Sequence, residues 1–385
     1  MRTREGRLDV GATLKRAVGD ALVAICRSQT PAVPDAPGVA LDVVAAARYH
    51  RIAPLVHVAL REQRPDLAGL LKSDRDEALF HHLRVSAILA DIARQLDGIA
   101  WLSFKGPMLS EFAHPIPGLR FYKDIDVLVS PTDFRSACHG LLAAGWVPLL
   151  ADSSLGSAEF PGELPLGNAQ GIVLDLHWSM VVMRRTRRHF FGDARSLLDR
   201  RMPVSLGPAR LWALSPADAL VHVCHHAALI GATKLGHVLD ADQLSRQVED
   251  WDEVVERAEQ WGAGVQVAAV LGRAHHLLGS PIPAGMDRRL GLGTAMGRFT
   301  AEIDHRFPIQ ELRRDESWTR LLTRSLKRTV TGTAAEVGRR VMSGTLHRLL
   351  PARDSSAFTP ATSVVLEDFL DRVTATGAAP SGRSG

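Results

Sequence analysis

Three acids in the sequence could do chemistry together: Asp124 and Asp126 in KDIDVLV, and Asp175 in the later run IVLDLHW. Alternate side chains of an extended strand share a face. Asp124, Asp126 and Leu128 therefore point one way, and Ile125, Val127 and Val129 the other. Two carboxylates side by side repel each other unless a cation offsets their charge, and a hard cation such as Mg²⁺, or Mn²⁺ in its place, takes carboxylate oxygens. Asp175 adds a third carboxylate from a second strand, and His177 shares its face, where it would support that carboxylate. Three carboxylates on two strands equip a two-metal site, with one ion activating a nucleophile and the other holding a triphosphate and its leaving group. The plainer alternative for Asp124 and Asp126 is a pair of surface acids bridged to Lys123 and Arg120.

The residues upstream favour the chemical reading. Lys105-Gly106-Pro107 closes a short apolar run. Gly106 lets the backbone turn tightly against a ligand, and a helix opened by Pro107 would direct N–H groups toward a phosphate. Arg120, four residues before Asp124, could grip β- and γ-phosphate oxygens with both arms of its guanidinium. Strand, Lys-Gly turn, helix, Arg, DxD strand and DxH strand form a far more specific order than DxD alone.

Positioning these residues requires a mixed core. Strands are expected over Ile99–Phe104, Ile125–Val129 and Ile172–Trp178, and helices over Pro107–Phe112 and, capped by Ser130, over Pro131–Ala144. The Gly/Pro-rich segment from Glu159 to Gly171 reads as loop. Helical periodicity dominates residues 1–97, and it returns from Ser215-Pro216 onward through 206–350. The fold class is therefore α+β: a small mixed sheet over 98–205 flanked by N-terminal and C-terminal helical regions. Residues 351–385 form a polar terminal segment, with at least the last ten expected to be disordered.

Composition narrows the classes. The chain has 385 residues, 46% apolar and 23% charged, with a net charge of +4, as in an ordinary soluble globular protein. Cys26, Cys138 and Cys224 are too far apart for a disulfide framework or zinc ribbon and fit a reducing cytoplasm. No apolar stretch reaches the roughly 18 residues of a membrane span. Basic residues cluster, with seven Arg against two Asp in Arg184–Arg201 and ten cations against three acids in Arg313–Arg353. These runs read as solvated helix faces, or as surfaces for a polyanion or an acidic partner.

The helical stretch HVCHH carries His222, His225 and His226, followed by Lys234, His237, Asp240 and Asp242. It is not HExxH, which argues against a zinc hydrolase. A metal phosphohydrolase built on His225, His226 and Asp240 is a weaker alternative. Trp178, Trp212, Trp251 and Trp261 read as core.

The stretch FKGPML…GLRFYKDIDVLV…DLHW resembles the uncharacterised nucleotidyltransferase family of the DNA polymerase β-like nucleotidyltransferase superfamily. The resemblance is specific over about 100–180, weaker over roughly 206–283 and negligible beyond. It implies an NTP substrate, a divalent metal, and metal-ligand roles for Asp124, Asp126 and Asp175. It gives Gly106 the phosphate turn and matches Lys105 and Arg120 to basic positions. The 217–242 helices would pack across the cleft, with Lys234 and Asp240 bordering the nucleotide. Where the superfamily turn has Gly-Gly or Gly-Ser, this chain has Gly106-Pro107, which removes one N–H. Similar proteins accompany peptide-modification clusters, which implies a small-molecule or peptide acceptor. The alternatives are a degenerate nucleotide-binding or scaffold protein of such a cluster, whose basic C-terminal region would meet a protein partner, and an RNA-modifying enzyme. On the leading reading, Asp126→Ala is expected to abolish transfer and leave the fold intact.

Overall fold

The computed structural model describes residues 5–36, 38–158, 160–207, 209–311, 317–349 and 362–378. Its centre is a seven-stranded sheet of order β3-β4-β5-β2-β1-β7-β6. The strands are β1 (Trp101–Ser103), β2 (Asp124–Val129), β3 (Val147–Pro148), β4 (Glu163–Gly167), β5 (Val173–His177), β6 (Met202–Leu206) and β7 (Ala209–Ala213). β2 runs parallel to β5 and β1 parallel to β7, while the other neighbours are antiparallel. The architecture is α+β, as the periodicities require.

Period-two alternation gives the sheet two faces. The back face carries Ile125, Val127, Val129, Leu164, Leu166, Leu174 and Leu176, all fully buried. They pack with residues of the Lys72–Gln95, Phe134–Ala143 and Ser363–Ala378 helices. On the front face Leu102 and Leu128 join a second core. That core is shared by the helices before Leu71 and by those at Pro216–Leu229, Leu235–Ser245, Trp251–Gln260 and Gly264–Leu278. The front-face acids meet this helical body.

Several expectations change. β4 lies inside the segment read as loop. Pro165 weakened its strand signal, yet Leu164 and Leu166 alternate inward and the Pro165 carbonyl accepts the Leu149 N–H at 2.9 Å. The β6–β7 hairpin also went unread. It crosses the expected division at 205/206, and Ser103 of β1 pairs with Ala213 of β7, so the sheet continues to residue 213. Ser130 does accept the Asp133 N–H, at 3.1 Å, but the helix itself starts only at Phe134.

Within the C-terminal segment, residues 362–378 pack against the sheet. Leu366, Phe369, Leu370 and Val373 recur at helical spacing and are buried on the back of the sheet. Glu367 holds Arg135 and lies 2.8 Å from His139, and the Thr362 N–H donates to Asp152 at 2.7 Å. Of the last ten residues, 376–378 complete this helix. The remainder of that expectation, 379–385, lies outside the described residues. Among the described residues no helix is long and apolar enough to cross a membrane.

Candidate active site

The β2–β5 register sets Asp126 beside Asp175 and Leu128 beside His177. Asp126, Asp175 and His177 thereby offer ligand atoms that all lie within 4.8 Å of one another. The His177 Nε2–H donates to Asp126 Oδ1 at 3.1 Å, and Glu163 Oε2 is 3.4 Å away. Lys105 Nζ donates to the same Asp126 oxygen at 2.7 Å. Asp124 lies half-buried at the start of β2. Its carboxylate has no hydrogen bond or ion pair among the described residues.

Environment separates the two inner acids. Burial alone would raise Asp126, but Lys105 and His177 hold it well below the usual carboxylate range. Burial pushes Asp175 up to about 7, and the neighbouring charges of Glu163 and Asp126 add to the effect. Glu163 is the acid that sequence reasoning missed. It stands opposite His177 on β4, and the available signal was the E-L-P-L alternation that Pro165 obscured.

Gly106 is required by a close approach. It sits at φ 34°, and a Cβ there would lie 2.8 Å from the Asp124 carbonyl oxygen. The Lys-Gly turn can therefore rest on the start of β2 and aim Lys105 at Asp126. The turn's donors are partly occupied: Pro107 has none, and the Met108 N–H donates to the Lys105 carbonyl at 2.8 Å.

A cavity of about 250 Å³ opens in front of these residues. Its sheet side carries Lys105, Gly106, Asp124 and Asp126, and its helical side His222, His226, His237 and Asp240. A larger hollow of about 410 Å³, beside the Gly264–Leu278 and Thr294–Arg306 helices, contains none of the sheet acids, so the chemistry points to the smaller one. Arg120 lines the smaller cavity but grips Asp240 with both arms, at 2.8 Å each. The alternative in which Arg120 and Lys123 bridge Asp124 and Asp126 is not observed. Lys105 takes Asp126, and Lys123 stands over the Phe121 ring. Lys234 is not among the residues lining the cavity. Its ammonium lies over Tyr49.

The histidines of the helical side are neutral. His222 and His226 stack with centroids 6.0 Å apart, as their spacing predicts. Burial, with Lys105 nearby, lowers both pKa values far below the ordinary histidine range. Neither ring nitrogen of His222 has a hydrogen-bond partner among the described residues. His225 turns the other way, onto Phe190 and Trp261. With Asp240 closed on Arg120, the His225/His226/Asp240 phosphohydrolase set is not assembled. Trp261 is buried core, as expected.

Residues 40–279 match the sequence profile of a family described as uncharacterised nucleotidyltransferase. The chain belongs to this family. Its membership supports transfer of a nucleoside monophosphate from an NTP with a divalent metal in general terms, and the carboxylate–histidine cluster lies within the matched residues. No match is found among curated proteins. The nucleotidyltransferase match ends near Leu278, so the back-face helix Ser363–Ala378 lies outside it.

Proposed function

We propose that the protein is a Mg²⁺- or Mn²⁺-dependent nucleotidyltransferase that moves an NMP from an NTP to a small-molecule or peptide acceptor and releases pyrophosphate. The observation that carries this reading is the meeting of Asp126, Asp175 and His177 within 4.8 Å, with Asp126 lining a cavity that also holds Asp124, Lys105 and Arg120. The donors fit a divalent cation: carboxylate oxygens suit Mg²⁺ and Mn²⁺ alike. Asp124, Asp126 and Asp175 would hold it, and when bound it would neutralise triphosphate charge and favour an ionised acceptor oxygen.

The chain's own residues then have distinct tasks. The acceptor oxygen forms a bond to the α-phosphorus, the bond to the β-phosphate bridge breaks, and pyrophosphate leaves. Asp175 takes the acceptor proton. His177 fixes the orientation of Asp126 through their hydrogen bond. Lys105 and Gly106 receive the triphosphate. Arg120 would also join it, held in place by Asp240, while Lys234 borders the nucleotide from outside the cavity. Residues 98–213 form the catalytic core on this reading. A cytoplasmic setting, where NTPs are abundant and the three buried thiols stay reduced, accords with it.

The Lys105–Asp126 pair favours one second reading, a nucleotide-binding module without turnover, because a metal ligand is already matched by a cation. An RNA substrate is less well supported. Within the basic run at 184–201, Arg187 donates to backbone carbonyls, Arg200 pairs with buried Asp218, and Arg201 donates to Leu198. The deciding test incubates the protein with each NTP, with and without Mg²⁺ or Mn²⁺, in the presence of cell extract. It measures pyrophosphate and the masses of the products. Metal-dependent pyrophosphate release that Asp124→Asn removes is expected. NTP binding with no release for any NTP would leave the binding module in its place.

A further inference from the structure

Arg51 reaches the cavity with no warning from the sequence. The chain leaves the Val39–Tyr49 helix through His50 and turns at Arg51 with φ 61°. That left-handed geometry is unfavourable for a residue with a side chain, and it persists only where its surroundings enforce it. Here they do. The His50 carbonyl accepts the Gly236 N–H at 3.0 Å, His50 Nδ1 accepts the Leu235 N–H at 3.2 Å, and the Nε2–H donates to the Gln310 carbonyl at 3.3 Å. A Cβ on Gly236 would lie 2.9 Å from the His50 carbonyl oxygen, so a glycine is needed for the two segments to meet. The strained corner is thus clamped to the first turn of the Leu235–Ser245 helix, which carries His237 and Asp240 to the same cavity.

Charge gives the corner a purpose. Lys105 and Arg120, both on the cavity wall, are each closed on an acid. Arg51 also lines the cavity, yet its guanidinium has no hydrogen bond or ion pair among the described residues. The charged groups that line the cavity with it are of both signs, Asp124, Asp126 and Asp240 as well as Lys105, Arg120 and Lys123; nearby Lys234 has its ammonium held down to about 8 by burial and by Arg51 and Arg320. His237, the other titratable neighbour, is pushed down to about 4 by burial and stays neutral. A fixed backbone that holds an unpaired guanidinium on the wall of a cavity where Lys105 and Arg120 are each already taken by an acid is organised to receive an anion.

We propose that Arg51 binds the β- and γ-phosphate oxygens of the incoming nucleoside triphosphate, a cation that the N-terminal helical region lends to the sheet-borne site. The proposal rests on the nucleotidyltransferase reading. A guanidinium matches phosphate oxygens in a two-point geometry and ignores the base, so Arg51 contributes to every NTP alike.

The test titrates the full chain by calorimetry with ATP, GTP, CTP, UTP and inorganic tripolyphosphate, each with Mg²⁺. Wild type is compared with Arg51→Gly and Arg51→Asn, two residues that tolerate the left-handed turn. Both variants should keep or raise the melting temperature. Both should bind tripolyphosphate, and each NTP that wild type binds, roughly tenfold or more weakly, the scale of one charged hydrogen-bonding group. Arg51→Lys should recover part of the loss. Unchanged affinity in both variants overturns the role of Arg51 while leaving the parent reading in place. Weakening for NTPs but not for tripolyphosphate assigns Arg51 to base or sugar and also overturns it. A wild-type protein that binds none of the five probes removes the nucleotidyltransferase reading, and this inference with it.

Discussion

The two faces of the sheet come from the same strands and are chemical opposites. Behind β2 and β5, Ile125 stands beside Leu174 and Val127 beside Leu176, all fully buried. In front, one position along, Asp126 stands beside Asp175, with His177 and Glu163 next to them. The back face is all attraction, and the front face places acids where they repel. Their register is shared: a slip of one residue would turn the carboxylates into the apolar core, so burial behind the sheet fixes the site in front of it. The difference teaches that stability is concentrated on one side of these strands, which lets the other side hold an arrangement that is costly until a cation arrives.

The largest break in this comparison is Asp126→Ala. Among the described front-face acids Asp126 is the one ion-paired with Lys105, so its loss leaves that half-buried ammonium without its paired anion. A stability loss of about 3 kcal/mol is expected, since breaking a buried pair strands the remaining charge. Transfer should fall at least a hundredfold or so. The simpler expectation that this substitution spares the fold therefore changes. Asp124→Ala, which removes an acid with no partner, should cost the same activity with stability within about 0.5 kcal/mol of wild type. Urea unfolding alongside pyrophosphate release separates the two. Equal unfolding midpoints would show that the Lys105 pair contributes nothing.

A one-sided break, confined to stability, is Phe369→Ala. Phe369 is fully buried behind the sheet, edge-on to Phe134 and Phe160. Its truncation should cost about 3–5 kcal/mol. NTP affinity, measured below the lowered melting temperature, should not move. A coupled loss of affinity would mean that the faces are not separable.

The division between the faces was legible in part, for physical reasons. β2 and β5 announce themselves because acid and apolar residues alternate strictly, and that alternation also identified Asp124, Asp126 and Asp175. Gly106 was legible as a close approach, though what it approaches is the Asp124 carbonyl. β4 and Glu163 were hidden by Pro165, a residue that argues against a strand unless its neighbours accommodate it. Arg120 looked free for phosphate because nothing local reveals Asp240, which joins it from a distant helix. Arg51 was invisible for the same reason: its backbone is set by Gly236 and Leu235, not by its own neighbours. Long-range pairing, rather than local propensity, is what one sequence leaves unstated.

The finest test is Asp175→Asn, which should raise stability while removing transfer. In the folded chain Asp175 holds its proton up to about 7, against about 4 for an unfolded Asp. A raised pKa contributes stability that is complete below the unfolded value and lost as pH climbs through the folded one. The metal-free wild type thus loses this contribution between about pH 4 and pH 7. Asparagine carries no charge to lose. The variant should match wild type near pH 4 and exceed it at pH 8 by on the order of 1 kcal/mol, allowing for solvent at a half-buried site, or about 1–2 °C in a chain of this size. Mn²⁺ or Mg²⁺ at pH 8 should then stabilise wild type, whose carboxylates it would neutralise, and leave Asp175→Asn nearly unmoved. Melting curves at the two pH values, with metal and with chelator, read all of this. A variant less stable than wild type at pH 8 without metal would mean that the front face is not under electrostatic strain.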